Sequence, residues 1–290
     1  MLVAQDFRDR ARIALSGNWA LGVGTGFIAS LLGAYTALGG GSSSVRFTEK
    51  QNEYLSQLLP IEVYVMVMGV LEIALIISLI YTIAVLIIGG PVSLGYVKFN
   101  LHLTDGRPAG FTDLFSQFHR FGEGFLVYFL RLLYTFLWTM LFTIPCVIAG
   151  IIVMVVLMDN YSIAGIYAAV FAMLLCLVPA IILGTMKTYS YAMAPYLLYE
   201  NPGMGANWAI QKSVDLMRGN KWRLFCLAIS FIGWAILCCF TLGIGFLWLK
   251  PYQEAAYAVF YREIKRERYG EPVNEQYGNP YEQDKVYQEF

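Results

Sequence analysis

Long apolar stretches separated by short polar segments dominate the chain. They cover residues 19–38, 61–88, 125–158, 163–185 and 225–260. A helix needs about 20 apolar residues to cross a hydrocarbon core of about 30 Å, so each of the first four predicts one crossing. The last is too long for one crossing, and Thr241-Leu242-Gly243-Ile244-Gly245 supplies a flexible turn in its middle. Splitting it there predicts a fifth span over 225–242 and a sixth over 246–261. The sixth is short and carries Lys250, Pro251, Gln253 and Glu254. The competing five-span reading runs one helix through 225–249 and leaves the tail on the opposite side.

Charge placement separates the two readings, because Lys and Arg are retained on the cytoplasmic side. With six spans, 16 Lys/Arg lie in cytoplasmic segments and 2, Arg46 and Lys50, lie outside; Arg131 and Lys250 fall within spans. With five spans the division becomes 11 against 7. The prediction is an all-α fold: a polytopic transmembrane helical bundle of about six spans arranged as three hairpins. Short amphipathic interfacial helices would lie on the cytoplasmic side. Residues 1–268 form a single membrane domain, and 269–290 a polar, disordered tail. The protein is expected to be a multi-pass protein of the plasma membrane with both termini cytoplasmic.

Composition sharpens this picture. Hydrophobic residues make up 58% of the 290 and charged residues 14%, against about 25% charged in soluble domains. That excess of apolar surface must face lipid. The formal net charge of zero gives no footprint for a nucleic-acid partner. Arg8, Arg10 and Arg12 precede the first apolar stretch in the manner of a signal peptide, but the stretch is longer than a signal core and more spans follow. Cys146, Cys176, Cys226, Cys238 and Cys239 all lie in apolar runs without a CxxC pair, which reads as buried, inert thiols.

A weak internal repeat is visible. Gly17-Asn18-Trp19 and Gly219-Asn220-Lys221-Trp222 each follow an amphipathic stretch and precede a span. Before the second copy, Ala206, Ile210, Val214 and Met217 share one helical face, with Asn201-Pro202 as the helix start. The expectation is a helix lying in the interface plane with its apolar face on acyl chains, a glycine turn, then a crossing, with Trp19 and Trp222 at headgroup level. A looser third copy runs through Leu114, Phe115, Phe118 and Phe121 to Gly122 and Gly124.

The run from Ser213 to Phe225, containing Met217-Arg218-Gly219-Asn220-Lys221-Trp222, resembles a known family. So do Leu242-Gly243-Ile244-Gly245, Pro251-Tyr252 with Phe260-Tyr261, and Leu15-Ser16-Gly17-Asn18-Trp19. Together they resemble the bacterial integral membrane family catalogued as domain of unknown function 975, over nearly the whole chain. The segment from Cys146 to Thr185 is longer than that pattern. The resemblance implies a bacterial plasma membrane and no established activity. The layout is loosely similar to the membrane domain preceding the catalytic part of some glycerophosphodiester phosphodiesterases, a catalytic part this chain lacks.

Ionisable groups inside spans are functional suspects, each costing roughly 2.5–3.5 kcal/mol or more at mid-membrane. Glu72 and Arg131 lie in the second and third spans. They read as a snorkelling arginine, a structural ion pair across levels about 4 Å apart, or a relay. Lys250 and Glu254, four apart on one face of the sixth span, read as a local pair or as the lining of a polar pathway broken by Pro251. Gly22, Gly26 and Ser30 read as a helix-packing face. His102 and His119 read as solvated loop residues with no metal spacing. No catalytic set, metal site or cofactor motif is recognisable. The expectation is therefore a non-catalytic accessory or scaffold protein binding anionic lipid headgroups, with a membrane-protein partner or homo-oligomer as candidates. The alternatives are a transporter using polar residues of spans two, three and six, and, less favoured, an intramembrane enzyme.

Overall fold

A computed structural model describes residues 3–34, 60–158 and 163–270, and among them no strand occurs. Helices α1 (Ala4–Leu15) and α2 (Trp19–Leu31) precede α3 (Ile61–Thr104). Two short 3-10 turns, Phe111–Leu114 and Phe118–Arg120, lead into α4 (Phe121–Met158). There follow α5 (Ile163–Ser190), α6 (Ala194–Glu200), α7 (Ala206–Leu216), α8 (Lys221–Ile229), α9 (Ile232–Phe240) and α10 (Phe246–Tyr269). Three segments among the described residues are long and apolar enough to cross a membrane: Ile61–Thr104, Phe111–Ile152 and Lys221–Phe240. The loop over 39–60 (Pro60 apart) and the tail beyond Gly270 lie outside the described residues, as does the end of the first expected span.

The helix α3 departs most from expectation. Its 44 residues reach about 66 Å, twice a hydrocarbon core. The helix does not stop at Ile88. It runs through Gly89-Gly90-Pro91, and the Ser93 hydroxyl donates to the Gly90 carbonyl at 2.7 Å. These helix-breaking residues are retained because α4 crosses there. A Cβ on Gly90 would sit 2.6 Å from the Gly124 carbonyl oxygen, and one on Gly124 3.0 Å from the Pro91 nitrogen. Small residues let two backbones approach closely, and the packing gained outweighs their poor helix propensity.

Around this crossing lies the core. Residues 92–101 of α3 are buried almost without exception, whereas most of residues 61–83 are exposed. The α4 and α5 helices run antiparallel, with Tyr134 against Tyr191 and Lys187 over the Trp138 ring at 3.6 Å. Their far halves project away from the core. Against the near end pack α1, α7, α8 and α10. Phe7 of α1 meets Phe260 of α10 edge-on at 5.3 Å, and Arg223 of α8 makes a bidentate pair with Glu267 at 2.6 and 3.1 Å.

Several expectations are corrected. The apolar faces of α1 and α7 do not lie on acyl chains: Phe7, Ala11 and Leu15, like Ala206, Ile210 and Met217, are buried in the protein core. Burial against the bundle removes the same apolar area from water and adds shape-matched contacts. The α7 helix starts at Ala206, after Gly205, and not at Asn201-Pro202; Asn201 instead ends α6, its amide donating to the Leu197 carbonyl. The fifth span is interrupted at Ser230–Phe231, between α8 and α9. On α2 the buried face is Gly22, Thr25, Gly26 and Ala29, whereas Ser30 is exposed. Cys239 is exposed rather than buried, and Cys146 and Cys226 are half-buried.

The two clear repeat copies share one backbone device. Gly17 has φ +80° and Gly219 φ +82°, each between a helix ending at Leu15 or Leu216 and one whose first turn carries Trp19 or Trp222. This left-handed conformation is open to glycine without the side-chain clash that other residues meet. The third copy lacks it: Gly122 and Gly124 lie inside α4 with ordinary helical backbone. Trp222 is exposed, whereas Trp19 packs against Tyr252 at 6.3 Å between ring centroids.

Candidate functional site: a charged cavity between α4 and α10

The α10 helix places Lys250, Gln253, Glu254 and Tyr257 on one face, at i, i+3, i+4 and i+7. That face lines a cavity of about 260 Å³. Arg131 of α4 closes one side, Ser93 and Tyr96 of α3 another. Tyr189 of α5, Tyr196 of α6, and Leu224 and Ala228 of α8 complete the wall. Pro251, in the second turn of α10, has no N–H to return to the Leu247 carbonyl.

Three of the four candidate polar residues therefore converge: Arg131, Lys250 and Glu254. Arg131 does not snorkel. It is 8% exposed, and its Nε is buried with no hydrogen-bond partner among the described residues. The carboxyl that acts on it is Glu254, which shares the cavity with Arg131 and Lys250. Lys250 and Glu254 lie four residues apart on the cavity-lining face of α10. Tyr196 lies outside the spans, and burial, reinforced by Glu254, pushes its hydroxyl well above the ordinary range. It stays protonated and able to donate.

Glu72 is not part of the site. It lies on the exposed half of α3. Measured outward from the Gly90–Gly124 crossing, Glu72 is 18 residues along α3 and Arg131 7 residues along α4, a level difference of about 16 Å. Ending the second span at Ile88 had placed Glu72 too close to Arg131. The partner of Arg131 comes instead from the C-terminal helix, a pairing that spacing along the chain does not encode. Tyr189, Tyr196 and Tyr257 were visible only as aromatic echoes at the hairpin ends.

Beyond the cavity, α10 ends in an ionic network. Arg262 pairs with Asp105 at 2.5 Å and with Glu200, and Lys265 reaches Glu200 at 3.0 Å. Burial alone would raise the Glu200 carboxyl, but Arg262, the Tyr261 hydroxyl and Lys265 outweigh it and hold the carboxyl below its usual range. His102 is not a loop residue. It sits in the last turn of α3, 3.7 Å from Asp113 and 3.3 Å from the Tyr199 hydroxyl. Burial pushes its pKa down despite Asp113.

A family model described as Protein of unknown function (DUF975) matches residues 44–268. The chain belongs to this family. The matched region of this DUF975 protein contains Arg131, Lys250, Glu254 and the Gly219 corner, and leaves out α1, α2 and the Gly17 corner. No curated protein and no solved structure matches the chain.

Proposed function

We propose that this DUF975 protein is a non-catalytic membrane protein that binds a small polar ligand or lipid headgroup in the cavity around Arg131, Lys250 and Glu254. The observation that carries this reading is the buried Arg131 side chain, which lines the cavity with its Nε unsatisfied among the described residues. A buried donor left unpaired costs about 1–3 kcal/mol, more for a charged group. In this reading the chain makes three transmembrane hairpins in the plasma membrane, with both termini cytoplasmic. The packed end, with Arg12 and Arg218 exposed, meets anionic headgroups by charge alone, because the apolar faces of α1 and α7 are used within the protein. It acts as an accessory or scaffold, alone or with a membrane partner.

The test is native mass spectrometry of the detergent-extracted chain. The wild type should retain a small molecule or lipid that Arg131→Gln and Glu254→Gln lose. Equal retention by all three overturns the reading. A carrier is the second reading, favoured by the interrupted α8–α9 segment and Pro251 beside the cavity, since broken helices flank transporter sites. Solute flux in proteoliposomes unchanged by Glu254→Gln counts against it.

A further inference from the structure

The charges in the cavity narrow the ligand. Lys250 is an exposed residue, so water or headgroups solvate part of its charge at the rim. Among the described residues the interior then holds one guanidinium, Arg131, and one carboxyl, Glu254, which an ammonium partner would hold ionised. They act on each other through space, without a direct ion pair among the described residues. Two opposed charges held apart in a low-dielectric space discriminate strongly. A simple cation entering the space meets Arg131. A simple anion meets Glu254. A neutral molecule can take the hydrogen bonds but leaves both charges uncompensated. A ligand carrying both signs compensates both at once. Tyr189, Tyr196 and Tyr257 border the same space, and tyrosine faces attract ammonium groups. About nine waters' worth of room, at about 30 Å³ each, is enough for a headgroup-sized molecule.

Resting on the ligand-binding reading above, we propose that the cavity takes a zwitterion: its anionic group on Arg131, assisted by Lys250, and its ammonium on Glu254 among Tyr189, Tyr196 and Tyr257. A zwitterionic lipid headgroup and a free zwitterionic metabolite share this chemistry, and the experiment separates them.

The full-length protein in detergent is titrated calorimetrically with phosphoethanolamine, inorganic phosphate and ethanolamine. Phosphoethanolamine should bind at least tenfold more tightly than either singly charged probe. Glu254→Gln should leave it no better than phosphate, and Arg131→Gln no better than ethanolamine. Should Arg131→Gln fail to fold, Arg131→Lys, which keeps the charge, replaces it and should stay within about tenfold of wild type. In a second arm, the protein is extracted from bilayers of equal phosphatidylethanolamine and phosphatidylglycerol. Selective retention of phosphatidylethanolamine assigns the headgroup as the source. Binding of the soluble probe without lipid selection assigns a free zwitterion. Phosphate binding as tightly as phosphoethanolamine overturns the zwitterion while leaving a ligand-binding cavity. If no probe or lipid binds, or the glutamine variants match the wild type, the cavity reading falls as well.

Discussion

The two halves of α3 both carry large apolar side chains, yet those side chains have opposite fates. Over residues 61–83 most of the described side chains face outward: Ile73, Ile76, Ile77 and Leu79 are each about 60% exposed. Over residues 92–101 the apolar side chains are buried, alongside the polar Ser93 and Asn100, with Val92, Leu94 and Leu101 at 0%. The difference lies in what surrounds each half. The projecting half meets a solvent as apolar as leucine, so it needs no partner from this chain. The buried half is hemmed in by α4, α6 and α10, where Gly90 and Gly124 permit close approach, the Asn100 amide donates to the Tyr96 carbonyl and the Thr104 hydroxyl to the Leu101 carbonyl. Hydropathy reports compatibility with lipid; it does not report whether lipid or protein is the neighbour.

Glycine replacement sets the halves against each other most sharply. Gly90→Val places a Cβ 2.6 Å from backbone of α4 and should destabilise by about 3 kcal/mol or more. Gly69→Val, whose Cβ meets nothing within 4 Å, should leave the melting temperature in detergent unchanged. Equal effects would mean that the crossing is not where the fold is held.

The ionic network at the end of α10 offers a smaller effect of a different kind. The Glu200 carboxyl titrates below its usual range in the folded chain. Its contribution is therefore complete above the ordinary carboxylate range and is lost as pH falls through the depressed value. Melting should weaken from pH 5 down, and Glu200→Gln should cost about 1–3 kcal/mol at neutral pH while flattening that acid limb. An unchanged limb removes Glu200 from the network's energetics.

The glycine corners should give the smallest change. Gly17→Ala and Gly219→Ala each force φ near +80° on a side chain with open space around it, costing about 1 kcal/mol. Similar losses at both support one shared device; a loss at Gly219 alone breaks the correspondence.

Much of the site was legible residue by residue. Arg131, Lys250 and Glu254 stand out because charges inside apolar runs are rare and expensive. The corner at Gly219-Asn220 is visible in its own residues because glycine and a polar cap state a local conformation. The grouping was not legible. Glu72 looks a plausible partner for Arg131 only if α3 ends at Ile88, and Gly89-Gly90-Pro91 argues for that ending on propensity. The α3–α4 crossing overrides propensity, as tertiary packing often does. The face Ala206–Ile210–Met217 reads as amphipathic in either case, since a periodic stripe says that something apolar covers it and not whether that is acyl chain or α4 and α10.

Residue order alone determined the helical membrane character, the family and which polar groups are out of place in lipid, because solvation and local backbone preference act on short stretches of chain. Tertiary structure decided which helix faces are shared and that Glu254 rather than Glu72 answers Arg131. Such pairings depend on where helices cross, and a crossing is fixed by the shapes of two segments far apart in the chain.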